Sequence, residues 1–274
     1  MAQKVWFITG ASRGFGKTWA EAALGRGDQV AAAARKLADL APLREKFGDL
    51  VLPLALDVND RAACFAGVQR AHAHFGRLDV VVNNAGYGLF GAIEEVSEAE
   101  ARAQMETNFF GALWVTQAAL PLLRKQNSGH IIQVSSIGGV AAFTTTGIYH
   151  ASKWALEGFS ESLAQEVKEF GIRITLVEPS GFTTDWAGSS GVRARENPAY
   201  DGIRARRAEM RKSMSAGDPA ATAAAILKLV DAPEPPLRLL LGESAVKISE
   251  QRYQERLKVW SAWREVSLAA DGKR

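Results

Sequence analysis

Short, uninterrupted apolar runs alternate with longer amphipathic segments along most of this chain, and no other feature limits its fold as tightly. The runs Val5–Thr9, Gln29–Ala34, Val51–Ala55, Val80–Val82, His130–Ser135, Arg173–Val177 and Arg238–Leu241 read as strands. Several are apolar at successive positions rather than at every second one, which is the pattern of strands covered on both faces. Between them, helices are expected near 15–26, 39–46, 60–74, 98–105, 107–126, 149–169, 219–231 and 246–267. Asp218 followed by Pro219 marks one helix start, as an N-cap and a first-turn proline. Elements in this order join as right-handed crossovers between parallel strands. The expected fold class is therefore α/β, a Rossmann-like doubly wound parallel sheet of about seven strands in a single domain over residues 1–274.

One stretch breaks the rhythm. From about 185 to 217 the chain is first rich in Gly and Ser, then in Arg, and follows neither period. A long irregular insertion in a compact domain is expected to be a substrate lid or binding loop. Pro233-Glu234-Pro235-Pro236 reads as a stiff turn before the last strand, not as a linker.

Composition narrows the function classes. Apolar residues make up 47% and charged residues 23%, as in soluble globular proteins. The net charge of +3 is mild and its cations are interleaved with acids, so no nucleic-acid partner is expected. A single cysteine, Cys64, has no internal partner and fits a reducing compartment. Met1–Lys4 runs straight into Val5–Ile8, so no signal peptide is expected. No apolar run approaches the ~20 residues that span a bilayer. The expectation is a soluble cytoplasmic protein with no membrane partner.

Chemistry enters with glycine. After the first strand comes Thr9-Gly10-Ala11-Ser12-Arg13-Gly14-Phe15-Gly16, and a helix follows. Glycines permit a tight turn and let backbone approach a diphosphate, which then sits at a helix N-terminus. The spacing is Gly-x-x-x-Gly-x-Gly, unlike the commoner Gly-x-Gly-x-x-Gly of dinucleotide folds. The second strand ends at Ala34-Arg35, where a fold selecting the non-phosphorylated dinucleotide places a carboxylate. With Arg13 and Arg35 present and no acid at that point, a ribose 2′-phosphate is favoured, because guanidinium grips phosphate through paired charge-assisted hydrogen bonds. The expected cofactor is NADP(H).

Tyr149 and Lys153 lie four apart in a helical stretch, so both side chains leave the same face. A phenol titrates near ~10, too high for acid–base work at neutral pH, and a fixed positive charge nearby lowers that value.

Together these segments resemble the short-chain dehydrogenase/reductase family over about residues 4–184. Thr9–Gly16 is similar to its cofactor turn, Asn83-Asn84-Ala85-Gly86 to its motif after the fourth strand, and Tyr149-x-x-x-Lys153 to its catalytic pair. Ser136, thirteen residues before the tyrosine, and Asn108 stand at its two other catalytic positions. The resemblance implies an NADP-dependent enzyme interconverting a carbonyl and an alcohol, closest in look to carbonyl-, hydroxysteroid- or retinol-type members. It makes Tyr149 the general acid/base. Lys153 would lower the phenol's pKa and bind the nicotinamide ribose. Ser136 would hold the substrate oxygen, with Ser135 a second choice, and Asn108 would hold a water beside Lys153. Asp57 and Val58 would meet the adenine, and Asn84, Ala85 and Gly86 would line the adenosine side. Family members usually carry Pro-Gly after the sixth strand, then a cofactor-contacting Thr. Here Pro179-Ser180-Gly181 departs from that pattern, while Thr184 keeps the offset. The resemblance also implies a homodimer or homotetramer, pairing helices near 107–126 and 149–169. A catalytically silent dinucleotide-binding regulator is the alternative, and the intact Asn108, Ser136, Tyr149 and Lys153 argue against it.

Other residues invite readings of their own. His72 and His74 point apart on a helix and make a poor metal pair, so no metal is expected. His150 and Cys64 read as structural. Arg193, Arg195, Arg204, Arg206, Arg207 and Arg211 are interspersed with Glu196, Asp201 and Glu209 and read as a solvated helix face. Phe143, Phe182, Trp186 and Tyr200 fit either an apolar substrate wall or ordinary core.

Overall fold

The computed structural model describes residues 3–188, 190–212 and 216–272. Its centre is a seven-stranded, all-parallel sheet made of β1 (Val5–Thr9), β2 (Gln29–Ala34), β3 (Val51–Ala55), β4 (Val80–Asn83), β6 (Gly129–Val134), β7 (Ile172–Pro179) and β9 (Arg238–Leu241). The strand order is β3-β2-β1-β4-β6-β7-β9. Helices cover both faces, which is why several of the strands are apolar at successive positions. In β1, Val5 and Phe7 enter the core on one side, beneath α3 (Arg61–Phe75), α5 (Gly111–Gln126) and α6 (Gly147–Val167). Trp6 and Ile8 enter the other, beneath α1 (Gly14–Gly25), α2 (Ala41–Phe47) and α8 (Thr222–Asp231). The chain order reverses between β1 and β4, so their C-terminal ends diverge and leave a crevice where ligands bind in open α/β sheets.

All seven expected strands and the expected class are present. Boundaries moved where backbone geometry, not hydrophobicity, decides. The helix expected over 107–126 begins instead with a π turn, Glu106–Phe110, before α5. The helix after Asp218 opens as a 3₁₀ turn in which the Asp218 carboxylate accepts from Ala220 N at 2.8 Å. The 246–267 helix is broken at Trp263 into α9 (Glu243–Ala262) and α10 (Arg264–Ala269).

The larger correction concerns 185–217. This segment is not irregular throughout. It contains α7 (Asp201–Lys212) and a two-residue strand, β8 (Val192–Arg193), which pairs with β5 (Leu89–Phe90) outside the main sheet. Ser189 and residues 213–215 of the expected lid lie outside the described residues. The low apolar content of α7 hid it: its helical length is held by polar contacts, chiefly Arg204 to Glu95 at 2.5 Å and to Asp201. Between them lies α4 (Glu98–Met105), opened by a capping box of Ser97 and Glu100. Among the described residues no helix is long and apolar enough to cross a membrane.

One buried titratable group makes the sheet pH-sensitive. His130 on β6 is 5% exposed, and its Nε2 lies 3.0 Å from the Thr175 hydroxyl on β7. That hydroxyl donates to Pro236 O at 2.7 Å, so Nε2 carries the proton and donates to it. Burial, with Arg173 and Lys4 nearby, pushes His130 down to about 3. Because the folded value is depressed, stability is lost as pH falls below the unfolded value of ~6.5, at up to about 1.4 kcal/mol per pH unit. Urea unfolding at stepped pH should show that slope, and His130→Gln should flatten it.

Candidate functional site

A cavity of about 2140 Å³ opens over the C-terminal ends of the strands. Its floor is the first glycine-rich turn. Gly10 (φ 64°) and Gly14 (φ 52°) adopt the left-handed conformation that side chains disfavour. A Cβ on Gly16 would lie 2.4 Å from both Gly10 O and Asn84 Nδ2, so the first turn of α1 closes on the strand end only without one. Helix α1 has no side-chain cap on its first-turn amides, which face the cavity beside Ser12 and Arg13. Such a turn fits a diphosphate.

The turn is tied to β4. Thr9 Oγ1 accepts from the backbone amides of Asn84 and Ala85, each at 3.0 Å. Asn84 Nδ2 donates to Thr9 O at 2.9 Å and Gly10 O at 3.1 Å. The Asn84 side chain therefore braces the turn, a function its sequence position did not announce.

A second cluster gathers where α6 crosses the end of β6. Tyr149, 5% exposed, is hydrogen-bonded to the Ser136 hydroxyl, which itself accepts from Gly138 N at 2.9 Å. One turn later, Lys153 Nζ donates to Val134 O at 2.7 Å and stands 5.8 Å from the Tyr149 ring centre. Asn108 sits in the π turn, whose extra residue swings it inward. Its amide meets Tyr87 N, Tyr87 O and Ser152 Oγ at 3.0, 3.0 and 3.1 Å. Gly86 separates it from Lys153: a Cβ there would lie 3.1 Å from Asn108 Oδ1 and 3.8 Å from Lys153 Nζ.

The electrostatics differ from the sequence expectation. Lys153 was expected to draw the phenol down. Here burial is the larger effect and pushes Tyr149 up to about 12, only partly opposed by the Ser136 hydrogen bond. Burial also pulls Lys153 down to about 8, against the opposing pull of Glu157. At neutral pH the cluster thus holds a protonated phenol and an ammonium.

Of the residues expected from sequence to form the site, Gly16 and Asn108 lie behind the cavity wall, and the others line it. Thr184 Cγ2 comes within 3.9 Å of the Cβ position of Gly14, which brings the segment after β7 to the glycine turn despite Ser180. No acid stands at the end of β2, as read, and Asp39, four residues after Arg35, also borders the cavity. Of the four aromatic candidates, Phe143, Phe182 and Trp186 line the cavity. Tyr200 does not, because its hydroxyl donates to Glu94 at 2.5 Å. Trp186 packs on the Tyr149 ring at 4.9 Å, a contact across 37 residues that no local pattern signals. Gly88 makes room for it, since a Cβ there would meet Trp186 at 2.7 Å.

The arginines divide. Arg204 is held by Glu95 and Asp201 rather than solvated, and Arg206 and Arg207 border the cavity. The Arg211 side chain lies outside the described residues. His150 also borders the cavity: its Nε2 accepts from Phe143 N at 3.0 Å, and burial pulls it down to about 4. Cys64 is core, its thiol pushed up to about 12 by burial and by Asp60 and Asp57.

The comparisons agree with this geometry. A family model described as short chain dehydrogenase matches residues 4–193. Oxidoreductase BOA17 of Botryotinia fuckeliana is 45% identical over 271 residues, which span 97% of this chain and 99% of that protein. The crystal structure of a short-chain dehydrogenase from Streptomyces avermitilis superposes with a TM-score of 0.92 at 38% identity, covering 98% and 99% of the two chains. Two more distant structures hold ligands. A Burkholderia phymatum short-chain dehydrogenase/reductase in complex with NAD matches at TM-score 0.80 and 25% identity, over 92% and 94% of the chains. An alcohol dehydrogenase from Thermococcus sibiricus complexed with 5-hydroxy-NADP matches at 0.74 and 26%, over 88% and 96%. The chain belongs to the short-chain dehydrogenase family and is an oxidoreductase of that family.

Gly16→Ala should force the turn open. The expected result is a loss of dinucleotide binding, followed by titration of NADPH fluorescence, with destabilisation of about 1–3 kcal/mol from the overpacked contact.

Proposed function

We propose that the protein is an NADP(H)-dependent oxidoreductase interconverting a carbonyl and an alcohol, with Tyr149 as general acid/base. One observation carries the reading: Ser136, Tyr149 and Lys153 converge in the same cavity that runs over the Gly10–Gly16 turn. The bound nicotinamide supplies hydride in reduction and takes it in oxidation. The chain's own residues handle the proton and the geometry. Ser136 and Tyr149 hold the substrate oxygen between their hydroxyls, and the phenol gives its proton to that oxygen during reduction. Burial keeps the phenol in its protonated form. Lys153 contributes its charge below about pH 8 and loses it as pH rises through that value.

For the cofactor, Arg13 and Arg35 border the cavity where the end of β2 meets the glycine turn, and they support a 2′-phosphate. Asp39 in the same wall is the group that opposes this choice. Asp57 and Val58 would border the adenine, with Asn84, Ala85, Gly86, Pro179 and Thr184 along the rest of the dinucleotide, a reading supported by their all lining the cavity. The 185–217 segment acts as the substrate lid, since Trp186, Ile203 and Met210 all border the cavity. Assembly as a homodimer or homotetramer through α5 and α6 belongs to the same reading, and Trp154 on α6, 43% exposed, supplies apolar surface for it.

Tyr149→Phe should bind NADPH as tightly as the parent while losing at least about 100-fold in turnover of any accepted ketone, the scale of general acid catalysis. Unchanged turnover would sink the mechanism, and a protein that binds NADPH but turns over no member of a broad carbonyl and alcohol panel would favour the regulator. The parent should bind NADPH more tightly than NADH, and the double variant Arg13→Ala, Arg35→Ala should lose that preference. A preference that survives both substitutions rules out the 2′-phosphate assignment.

A further inference from the structure

Three ionisable groups, Glu157, Glu178 and Arg238, lie buried or half-buried behind the catalytic cluster, and the mechanism above uses none of them. Glu157 follows Lys153 by one turn of α6 and is 7% exposed. Its Oε1 accepts from the Ser135 hydroxyl at 2.5 Å and its Oε2 from Arg238 Nε at 3.0 Å. Glu178 on β7, 2% exposed, places Oε1 3.5 Å from the same Arg238 nitrogen. Arg238 also reaches outward to Glu161 at 2.6 Å.

Three successive turns of α6 thus meet three successive residues at the end of β6. Tyr149 meets Ser136, Lys153 meets Val134, and Glu157 meets Ser135. The site is shaped around the last of these pairs. A Cβ on Gly139 would lie 2.6 Å from Ser135 Oγ and 2.9 Å from Glu157 Oε1, so the turn after Ser136 passes over the pair only as glycine.

We propose that Glu157 is a positioning residue for the acid–base pair, fixing through Ser135 the turn that presents Ser136 to the phenol and serving as counter-charge to the Lys153 ammonium. This rests on the assignment of Tyr149 and Lys153 given above. The groups facing Glu157 are Lys153 and Glu161 from its own helix, Glu178 from β7, Arg238 from β9 and Ser135 from the end of β6. Burial pushes the Glu157 carboxyl up, and Ser135 and Arg238, which both donate to it, oppose that and favour its ionised form. Burial and the adjacent Glu157 charge hold Glu178 above the usual carboxylate range, so Glu178 carries the proton. The charge of Glu157 supports the ammonium of Lys153 against burial, which otherwise draws it down.

Two readouts test this. In protein labelled with ¹³Cε-lysine, the Lys153 resonance is assigned by its loss in Lys153→Met, and its titration is followed without any turnover. Glu157→Gln keeps an acceptor for Ser135 but removes the charge, so the Lys153 midpoint should fall by about one pH unit. The alkaline limb of kcat for reduction should fall with it, while KM for NADPH stays within about twofold. Glu178→Gln, an isostere of the protonated acid, should leave both in place, as should Glu161→Gln on the exposed side. Glu157→Asp keeps the charge and shortens the reach. It should retain the Lys153 midpoint yet lower kcat, and it carries the test if Glu157→Gln does not fold. A Lys153 midpoint unmoved in Glu157→Gln, or one moved by Glu178→Gln instead, overturns the proposal. The NMR arm is independent of Tyr149→Phe, so failure here and failure of the catalytic assignment give different results.

Discussion

The hydrogen bond from the Lys153 ammonium to the Val134 carbonyl sets the position of everything around the candidate site. An ammonium taken out of water costs several kcal/mol unless acceptors and an opposite charge receive it. Here a backbone carbonyl at 2.7 Å and the Glu157 carboxylate one turn on both do so. Those partners exist in only one register of α6 against β6. A slip of one residue rotates the helix face by about 100° and breaks the Tyr149, Lys153 and Glu157 contacts together. The buried cation therefore acts as a locating pin between helix and strand, and the neighbours of the pin inherit their geometry from it.

A second fixed point lies on β1 and β4. Thr9 and Gly10 exchange four hydrogen bonds with Asn84 and Ala85 across the place where the two strands part, and these hold the glycine turn over the mouth of the crevice. Because β4 also pairs with β6, the two fixed points sit on adjacent strands. The dinucleotide-shaped turn and the acid–base cluster are thus joined by backbone ladder rather than by flexible chain. This is why glycines and an asparagine with no contact to reacting groups still determine where those groups stand.

Local order was legible in the sequence where one physical rule dominated. Short, mainly apolar runs marked every strand of the main sheet, and several are continuous because burial covers both faces. Asp218-Pro219 marked a helix start because the cap is a short-range hydrogen bond. The tyrosine, lysine, serine and asparagine were legible only as a set, by resemblance. What escaped depends on partners distant in sequence. Helix α7 is held by Glu95, about a hundred residues upstream, so its own composition looked like a loop. The π turn that turns Asn108 inward has no apolar signature of its own. Glu157 was visible as a carboxylate one turn after Lys153, yet its burial follows from Ser135 and Arg238, which belong to other elements.

The substrate side follows the same logic. Trp186 lies on the Tyr149 ring only because Gly88 leaves a space and Phe90 meets its edge at 5.1 Å. That packing has a chemical consequence, because the indole helps to bury the phenol and burial is what raises its pKa. Covered in this way, the Tyr149 phenol stays protonated at neutral pH. Moving Trp186 aside would admit water and polar substrate atoms, remove part of that penalty and bring the phenol back toward its ordinary range. That side chain belongs to the segment after β7 rather than to the sheet, so on the proposed assignment the same segment that borders the cavity also covers the phenol.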